Sequence, residues 1–523
     1  MNCRKRKTKG WDSMDFELAG QDIGVSVPLF EGRTEQAVDA DLTLPEYCPD
    51  AARVLRCMLL PNVRGMQVGG GSVTADCNAV LRVLYCGEDG GVHCYEQGYP
   101  FTQEAAVPGV QASDCATVRA ETSYVNCRIV SPRRMDIHGM VHCCFCVRRL
   151  GRQSVISGAS GGGVQVKTTL CRVISAAGEV ARAFPVAEVL ELDADAPPVR
   201  QLLYAQGTAA AGELKAISNK LLLKGELRLR ILYLADNASE EPAVLEYAIP
   251  FSQIIEVEGI DESCAQETVL TVPSLEISPR ADASGERRLL DVNAMVLADI
   301  IATRELEIPV AVDAYSTQNE LETEYRSMEL LQPLEVVSER LPITGGVTLP
   351  GGSKEILAVW SAEPNTDAAA NGDELTISGA LPLNILYLDS AGETAFCEKA
   401  LDFRFRRVLG QGVQRLLCRP RVTTLRLDYS QGANGELQLR ADAELNAAAY
   451  NLSEKRVIVG LQPDENRPKD DDTPALTLYF ADRGESIWEI ARSHNTTVES
   501  INQENSLGGE TLTEAQMLLI PRA

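Results

Sequence analysis

The sequence predicts a mainly β chain: three tandem antiparallel units, sandwich- or barrel-like, followed by a small βααβ domain. Three observations carry this prediction. One five-residue phrase is written three times, several segments alternate strictly between apolar and polar residues, and the periodicity changes abruptly in the last fifty residues.

The phrase is "RVLYC" at Arg82–Cys86, "RILYL" at Arg230–Leu234 and "NILYL" at Asn384–Leu388. Twenty-nine residues before its leucine stands another leucine each time: Leu55 (84 − 55), Leu203 (232 − 203) and Leu357 (386 − 357). Phe101, Phe251 and Phe403 follow at offsets of 17, 19 and 17. Between leucine and phenylalanine lie the turn-like stretches "GEDGG", "ADNASEEPA" and "DSAGE"; the second is longer and accounts for the two extra residues. A common register with insertions confined to a turn is the mark of duplication.

Within the units, "ELRLRILYL" (Glu226–Leu234) sets Leu227, Leu229 and Ile231 against Arg228 and Arg230, which predicts a half-buried strand with a solvated arginine face. "LQLRADAELNA" (Leu437–Ala447), "LDVNAMVLADI" (290–300) and "MDIHGMVHC" (135–143) repeat the alternation. The expected divisions are an N-terminal segment 1–42 and β repeats 43–190, 191–340 and 341–460. An acidic, proline-containing linker follows at 461–475, where Gln462–Pro474 carries three prolines and seven charged residues in thirteen. The last domain is 476–523.

In that domain Thr477–Ala481 reads as a strand, and Ser486 starts a helix with Glu489 completing a capping box. Thr496 and Glu499 form a second box, and Met517–Ile520 closes as a strand stopped by Pro521. With Tyr479, Gly484-Glu485-Ser486-Ile487-Trp488, Ile490-Ala491, Val498, Ile501, Asn505, Leu507, Leu512, Gln516 and Leu519-Ile520-Pro521, the segment resembles a LysM module. Family members use two loops as a shallow groove for N-acetylglucosamine polymers. Carried over, the groove is Gly484, Glu485, Ser486 and Ile487 with Asn505, Ser506 and Leu507. Glu485 replaces the usual Asp, and Ala515 stands where a Gly is common. Trp488 is read as straddling the core and rim of the module, with stacking on a sugar as the competing role.

The whole arrangement resembles the spore-coat morphogenetic proteins of clostridia, built of repeated domains plus LysM. That resemblance implies a non-enzymatic coat scaffold in the mother-cell cytoplasm at the forespore surface, with the LysM end engaging the coat basement-layer ATPase. The competing function is peptidoglycan or N-acetylglucosamine binding.

Composition and the remaining motifs agree with a non-catalytic reading. Lys+Arg 49 against Asp+Glu 74 leaves a net charge of −25, which disfavours nucleic acid and anionic lipid. The basic cluster Arg4–Lys9 precedes "GWDSMDFELAG" and not an apolar stretch, so it reads as no secretory signal, and Met14 offers a second start. No apolar run is long enough to span a membrane. Eleven of 15 cysteines precede residue 147, and without an export signal they read as free thiols. In "HCCFC" only His142 with Cys144 has metal-ligand reach, aided by His93 or Cys94 if "VHCYE" pairs alongside; His138 lies about 13 Å from His142 along a strand. No metal and no cofactor is expected. "GASGG" (Gly158–Gly162) fits a nucleophile elbow, but an alternating segment follows it in place of a helix, so it reads as a loop. The chain has four histidines (His93, His138, His142 and His494), a thin supply for acid–base work, and His494 reads as a solvated helix end.

Overall fold

Alternation becomes structure most plainly at Leu437–Ala447, where Leu437, Leu439, Ala441, Ala443 and Leu445 are all buried and the residues between them are not. A computed structural model describes residues 17–237, 241–432, 436–469 and 475–522, without the side chain of Glu465. The segment holding Met14 and the basic cluster Arg4–Lys9 lies outside these residues.

Six strands build the first unit: β1 (Glu17–Thr43), β2 (Ala51–Gly69), β3 (Ser72–Gly87), β4 (Val92–Ala106), β5 (Cys115–Ser131) and β6 (Arg134–Ser160). They form the antiparallel sheets β2-β3-β4 and β1-β6-β5, whose facing sides share a core containing Leu42, Leu81, Tyr85, Ile137 and Phe145. The second unit repeats this order with β7 (Val164–Glu191), β8 (Val199–Ile217), β9 (Lys220–Ala235), β10 (Pro242–Glu256), β11 (Ala265–Arg280) and β12 (Leu289–Ser316), as sheets β8-β9-β10 and β7-β12-β11.

The third unit breaks two of the strands. β13 (Asn319–Thr348) is followed by β14 (Glu355–Ser361) and β15 (Asn365–Asn371), both paired with β16 (Glu374–Leu388), which also pairs with β17 (Thr394–Val408). β18 (Leu416–Cys418) and β19 (Arg421–Gln431) both pair with β20 (Glu436–Pro468), which pairs in turn with β13.

The units therefore begin and end elsewhere than expected. β1 belongs to the first core through Val38, Ala40 and Leu42, although 1–42 was expected to be a separate segment. β7 delivers Phe184 and Val186 to the second core, and β13 delivers Val337, Ile343 and Val347 to the third. Each long strand opens the unit that follows it. The expected linker is corrected in the same way. Gln462, Pro463, Asp464 and Pro468 lie in β20 and pair with Glu322, Leu321, Glu320 and Asn319 of β13, because backbone bonds at a strand end need no apolar side chains. Residues 470–474 lie outside the described residues.

The repeated phrase marks where the three units meet. Its tyrosines point into their own unit's core, and each hydroxyl donates to a proline carbonyl: Tyr85 to Pro49 (3.2 Å), Tyr233 to Pro197 (3.0 Å) and Tyr387 to Pro350 (2.8 Å). Its leucines point the other way. Leu84, Leu232 and Leu386 are 0, 3 and 0% exposed and share one apolar hub with Leu203, Trp360 and Met58. Alternation stops at Ile231 because from there the strand is buried on both faces, one against its own core and one against the hub.

The upstream leucines reach the same hub by a common device. Pairing skips between Val54 and Arg56, between Leu202 and Tyr204, and between Ile356 and Ala358, so Leu55, Leu203 and Leu357 are each the extra residue of a β-bulge that turns the side chain inward. Polar bonds close the ring around it. Gln201 Nε2 donates to the Cys94 carbonyl (2.6 Å), Arg230 Nη2 to the Val359 carbonyl (2.8 Å), and Arg53 to the Thr394 carbonyl. The arginine face expected to be solvated is thus partly used between units.

Beyond the hub, β1, β6, β7, β12, β13 and β20 run on together and bury a second common core of Ile23, Val155, Val173, Ile308, Met328 and Val457. Where β1 crosses β7, Gly24 donates its N–H to Ser175 Oγ at 2.9 Å, and a Cβ at Gly24 would lie 1.8 Å from the Ala176 carbonyl oxygen. Only glycine fits there. Between the hub and this second core, Arg148 of β6 meets Asp299 of β12 and Glu179 of β7, the latter at 3.4 Å, with the Arg148 and Glu179 side chains 7 and 2% exposed. Burial opposes the Arg148 charge more than any single neighbour favours it, but the hydrogen bond that Arg148 donates to Asp299, the charge of that carboxylate and the nearby Cys115 and Cys146 sulfurs together hold the guanidinium's pKa above its usual value.

Candidate partner-binding site

The last described segment runs β21 (Leu476–Ala481), α1 (Ile487–Ser493), α2 (Val498–Asn505) and β22 (Gln516–Pro521). Ala481, Ile487, Ile490, Ala491, Ile501, Leu512, Leu518 and Ile520 form its core, and Tyr315 of β12 completes that core from the body. Short helices of seven and eight residues stand here through packing and not through propensity.

The helix starts differ from expectation. Ser486 is the N-cap of α1 but its side chain makes no capping bond. The cap of α2 is Thr497, whose hydroxyl accepts the Ser500 N–H at 3.0 Å, while Thr496 donates its own hydroxyl to the Pro521 carbonyl at 2.6 Å. Thr496 is fully buried, which removes it from a helix terminus facing water.

The candidate groove residues fall into two braced strips. Gly484 takes a φ of +89° at the turn after β21 and donates its N–H to Leu512 O (2.8 Å). Leu512 N donates to Glu485 O (3.0 Å), Ile487 N to Glu510 O (3.0 Å), and Ser486 bridges Thr511. The Ile487 side chain points into the core, 1% exposed, so only its backbone borders the groove. Glu485 accepts from the Tyr479 hydroxyl at 3.4 Å through Oε1, and its buried Oε2 is without a partner among the described residues. On the other strip Asn505 is fully used: Nδ2 donates to Ile501 O (2.9 Å) and Leu519 O (2.6 Å), and Oδ1 accepts from Leu519 N (2.7 Å). Ser506 is left-handed at φ +53°, and Leu507 N donates back to Asn502 O (3.0 Å).

Trp488 straddles the core and rim of the module, half-buried against its apolar cluster, and also reaches the body. Its Nε1 donates to Asp313 Oδ2 of β12 at 2.7 Å, and its ring meets Tyr315 edge-on at 4.8 Å. Arg492 reaches the same carboxylate at 3.2 Å, Tyr315 donates its hydroxyl to Thr496 O at 2.8 Å, and Lys469 donates to Asn495 Oδ1 at 2.8 Å. The module is clasped to the body. His494, expected to be solvated, lies edge-on to Tyr479 with ring centres 5.3 Å apart.

One feature of the module was missed at the level of sequence. Leu476, Leu478 and Phe480 alternate on the side of β21 away from the helices, with Met517 opposite Phe480 on β22. Their exposures are 47, 66, 66 and 63%. The alternation "LTLYF" is visible in the sequence, but it reads equally well with these residues inward.

The histidine and cysteine motifs are separated by the fold. β4 pairs with β3, so "VHCYE" does not lie beside "HCCFC", which pairs with β1 and β5. His93 pairs with Asp89 at 2.9 Å, His138 with Asp39 at 2.7 Å, and His142 with Glu35 at 3.4 Å. "GASGG" ends β6 and turns through Gly161–Gly163, all at positive φ, into β7; no helix follows.

Against known families, the chain matches the model for the SipL, SPOCS domain twice, over residues 50–130 and 198–278. Both matches begin 34 residues before the phrase leucine (84 − 50 and 232 − 198), so the family and the repeat share one register. No curated protein and no solved structure matches the chain.

Proposed function

We propose, from the premise that this chain carries tandem SPOCS domains of the SipL family and so is a sporulation-related protein, that it is a non-catalytic scaffold of the spore coat. In this reading the three units form a rigid body at the forespore surface in the mother cell, and the LysM-like module holds the coat basement-layer ATPase. The exposed strip of Leu476, Leu478, Phe480 and Met517 carries the reading, because an uncovered apolar face on a small module of an acidic chain suits a protein partner better than a polysaccharide. The groove supports the same preference. Asn505, which a sugar acetamide would need, is spent on the fold, and Trp488 is spent on the clasp.

Glycan binding is the second reading, supported by the likeness of the loops at Gly484–Ile487 and Asn505–Leu507 to a sugar-binding groove. Deleting residues 476–523 should abolish recruitment to the forespore surface. Normal recruitment of the truncated chain would refute the module's role. Titration of the full chain with N-acetylglucosamine oligomers separates the two readings, since saturable binding would favour the glycan.

A further inference from the structure

Cysteine is concentrated in the first unit, and two pairs of its thiols touch across the two sheets: Cys57 with Cys127 and Cys77 with Cys143. The pairs differ in access. Cys77 and Cys143 are 3 and 0% exposed within the core. Cys57 and Cys127 are only half-buried and both line an open groove of about 380 Å³ between the first and third units, together with Arg56, Asn126, Phe396 and Glu398.

The strands that carry Cys57 and Cys127 are held edge to edge. β2 and β5 are outer strands of the two facing sheets, and they are tied by the Thr122 hydroxyl donating to the Leu59 carbonyl. Leu59 lies over the Gly139–Val125 step, which brings Cys57, two residues back, alongside Cys127. The second unit offers a comparison. By strand register it has Ala205, paired with Ile231, and Ile277, paired with Val292, where the first has Cys57, paired with Val83, and Cys127, paired with Ile137. The site thus accepts an ordinary apolar pair, and packing alone does not require two thiols.

We propose that Cys57 and Cys127 form a redox-active dithiol that hydrogen peroxide in the groove converts to an inter-sheet disulfide. Both sulfurs border the groove, so either can attack the peroxide as its thiolate; with Cys127 as the attacking atom, its proton is released first. Its sulfur attacks the peroxide, the O–O bond breaks, and hydroxide leaves with a proton to form water. The resulting sulfenic acid is attacked by Cys57 sulfur, an S–S bond forms, and the hydroxyl leaves as a second water with the Cys57 proton. Two electrons pass from the thiols to the peroxide. The closed bond staples β2 to β5 and locks the first unit's sheets at the mouth of its junction with the third.

The test uses the full reduced chain. It is treated with hydrogen peroxide, quenched with an alkylating reagent under denaturing conditions, and mapped by mass spectrometry without reduction. A peptide linking Cys57 to Cys127, lighter by two hydrogens, is expected, with Cys77 and Cys143 still alkylated. Linkage at the open pair should be faster than at the buried pair by on the order of tenfold or more. The variant Cys127→Ile copies Ile277 of the second unit and keeps the fold; it should abolish the link. Separate alkylation or overoxidation of Cys57 and Cys127, linkage of Cys57 to Cys397 instead, or equal rates at the two pairs would overturn the proposal.

Discussion

Two of the joints in this chain differ in their materials. The hub where the three units meet is built mainly of leucine, with Trp360 and Met58, and polar bonds from Gln201 and Arg230 brace its rim. At the joint between body and module the carboxylate of Asp313 receives Trp488, Arg492 and Tyr325, beside the Tyr315 ring that enters the module's core. An apolar hub has no partial state, since opening it exposes many methylene groups at once. A polar clasp trades its bonds for bonds to water and opens at modest cost. The hub therefore reads as a permanent assembly and the clasp as a releasable one.

That contrast is sharpest if it is attacked at both ends. Arg148→Ala, at the buried junction of the first two units, strands Glu179 and Asp299 and should cost about 3–5 kcal/mol by denaturant unfolding. Leu386→Ala in the hub should cost about 2–5 kcal/mol and lower the unfolding midpoint of the whole body, because three units lose packing at one point. Asp313→Ala should remove about 1.5–3 kcal/mol from the clasp. It should make the junction before residue 476 sensitive to protease while the body's unfolding midpoint hardly moves. A matching fall in body stability would erase the distinction between the joints.

Smaller effects sharpen the likeness among the units. Tyr85→Phe, Tyr233→Phe and Tyr387→Phe remove the same proline-directed bond and should each cost about 1 kcal/mol, with similar values at all three. The smallest effect is in pH. Burial raises the pKa of Glu267, with Asp299 adding to the rise against the opposing charge of Arg419. The folded state then holds this proton more tightly than the unfolded chain, so its contribution is complete below the unfolded value of about 4.3 and is lost as pH rises through the folded one. Glu267→Gln should match the parent chain in acid and gain stability relative to it as pH is raised.

Much of the body was legible because spacing survives duplication better than residue identity. The 29-residue offset located the hub's two leucines in every unit, and the alternation at Leu437–Ala447 gave its face correctly. The bulges at Leu55, Leu203 and Leu357 were not legible, since a bulge shows only when the partner strand is known. The opening strands were missed because segments such as "EGRTEQAVDAD" of β1 are polar on one face, and their other face is half-buried until Val38 and Ala40 enter the core. The linker was misread because its charges were taken to exclude order, whereas the end of β20 is held by backbone pairing with β13. In the module the strand–helix–helix–strand order was readable from capping and apolar spacing. The capping residues were offset by one at Thr497, and the fate of Trp488 depended on Asp313, 175 residues away, which no local pattern discloses.

In the proposed function the module presents its apolar strip to a protein partner while the body serves as its mount. The most direct test is binding of the purified coat basement-layer ATPase to the full chain and to Leu478→Asp/Phe480→Asp, in which two exposed residues change without touching the core. Loss of affinity on the order of tenfold to a hundredfold, with an unchanged unfolding midpoint, is the predicted result. Full affinity in the double variant, alongside saturable binding of N-acetylglucosamine oligomers, would contradict it.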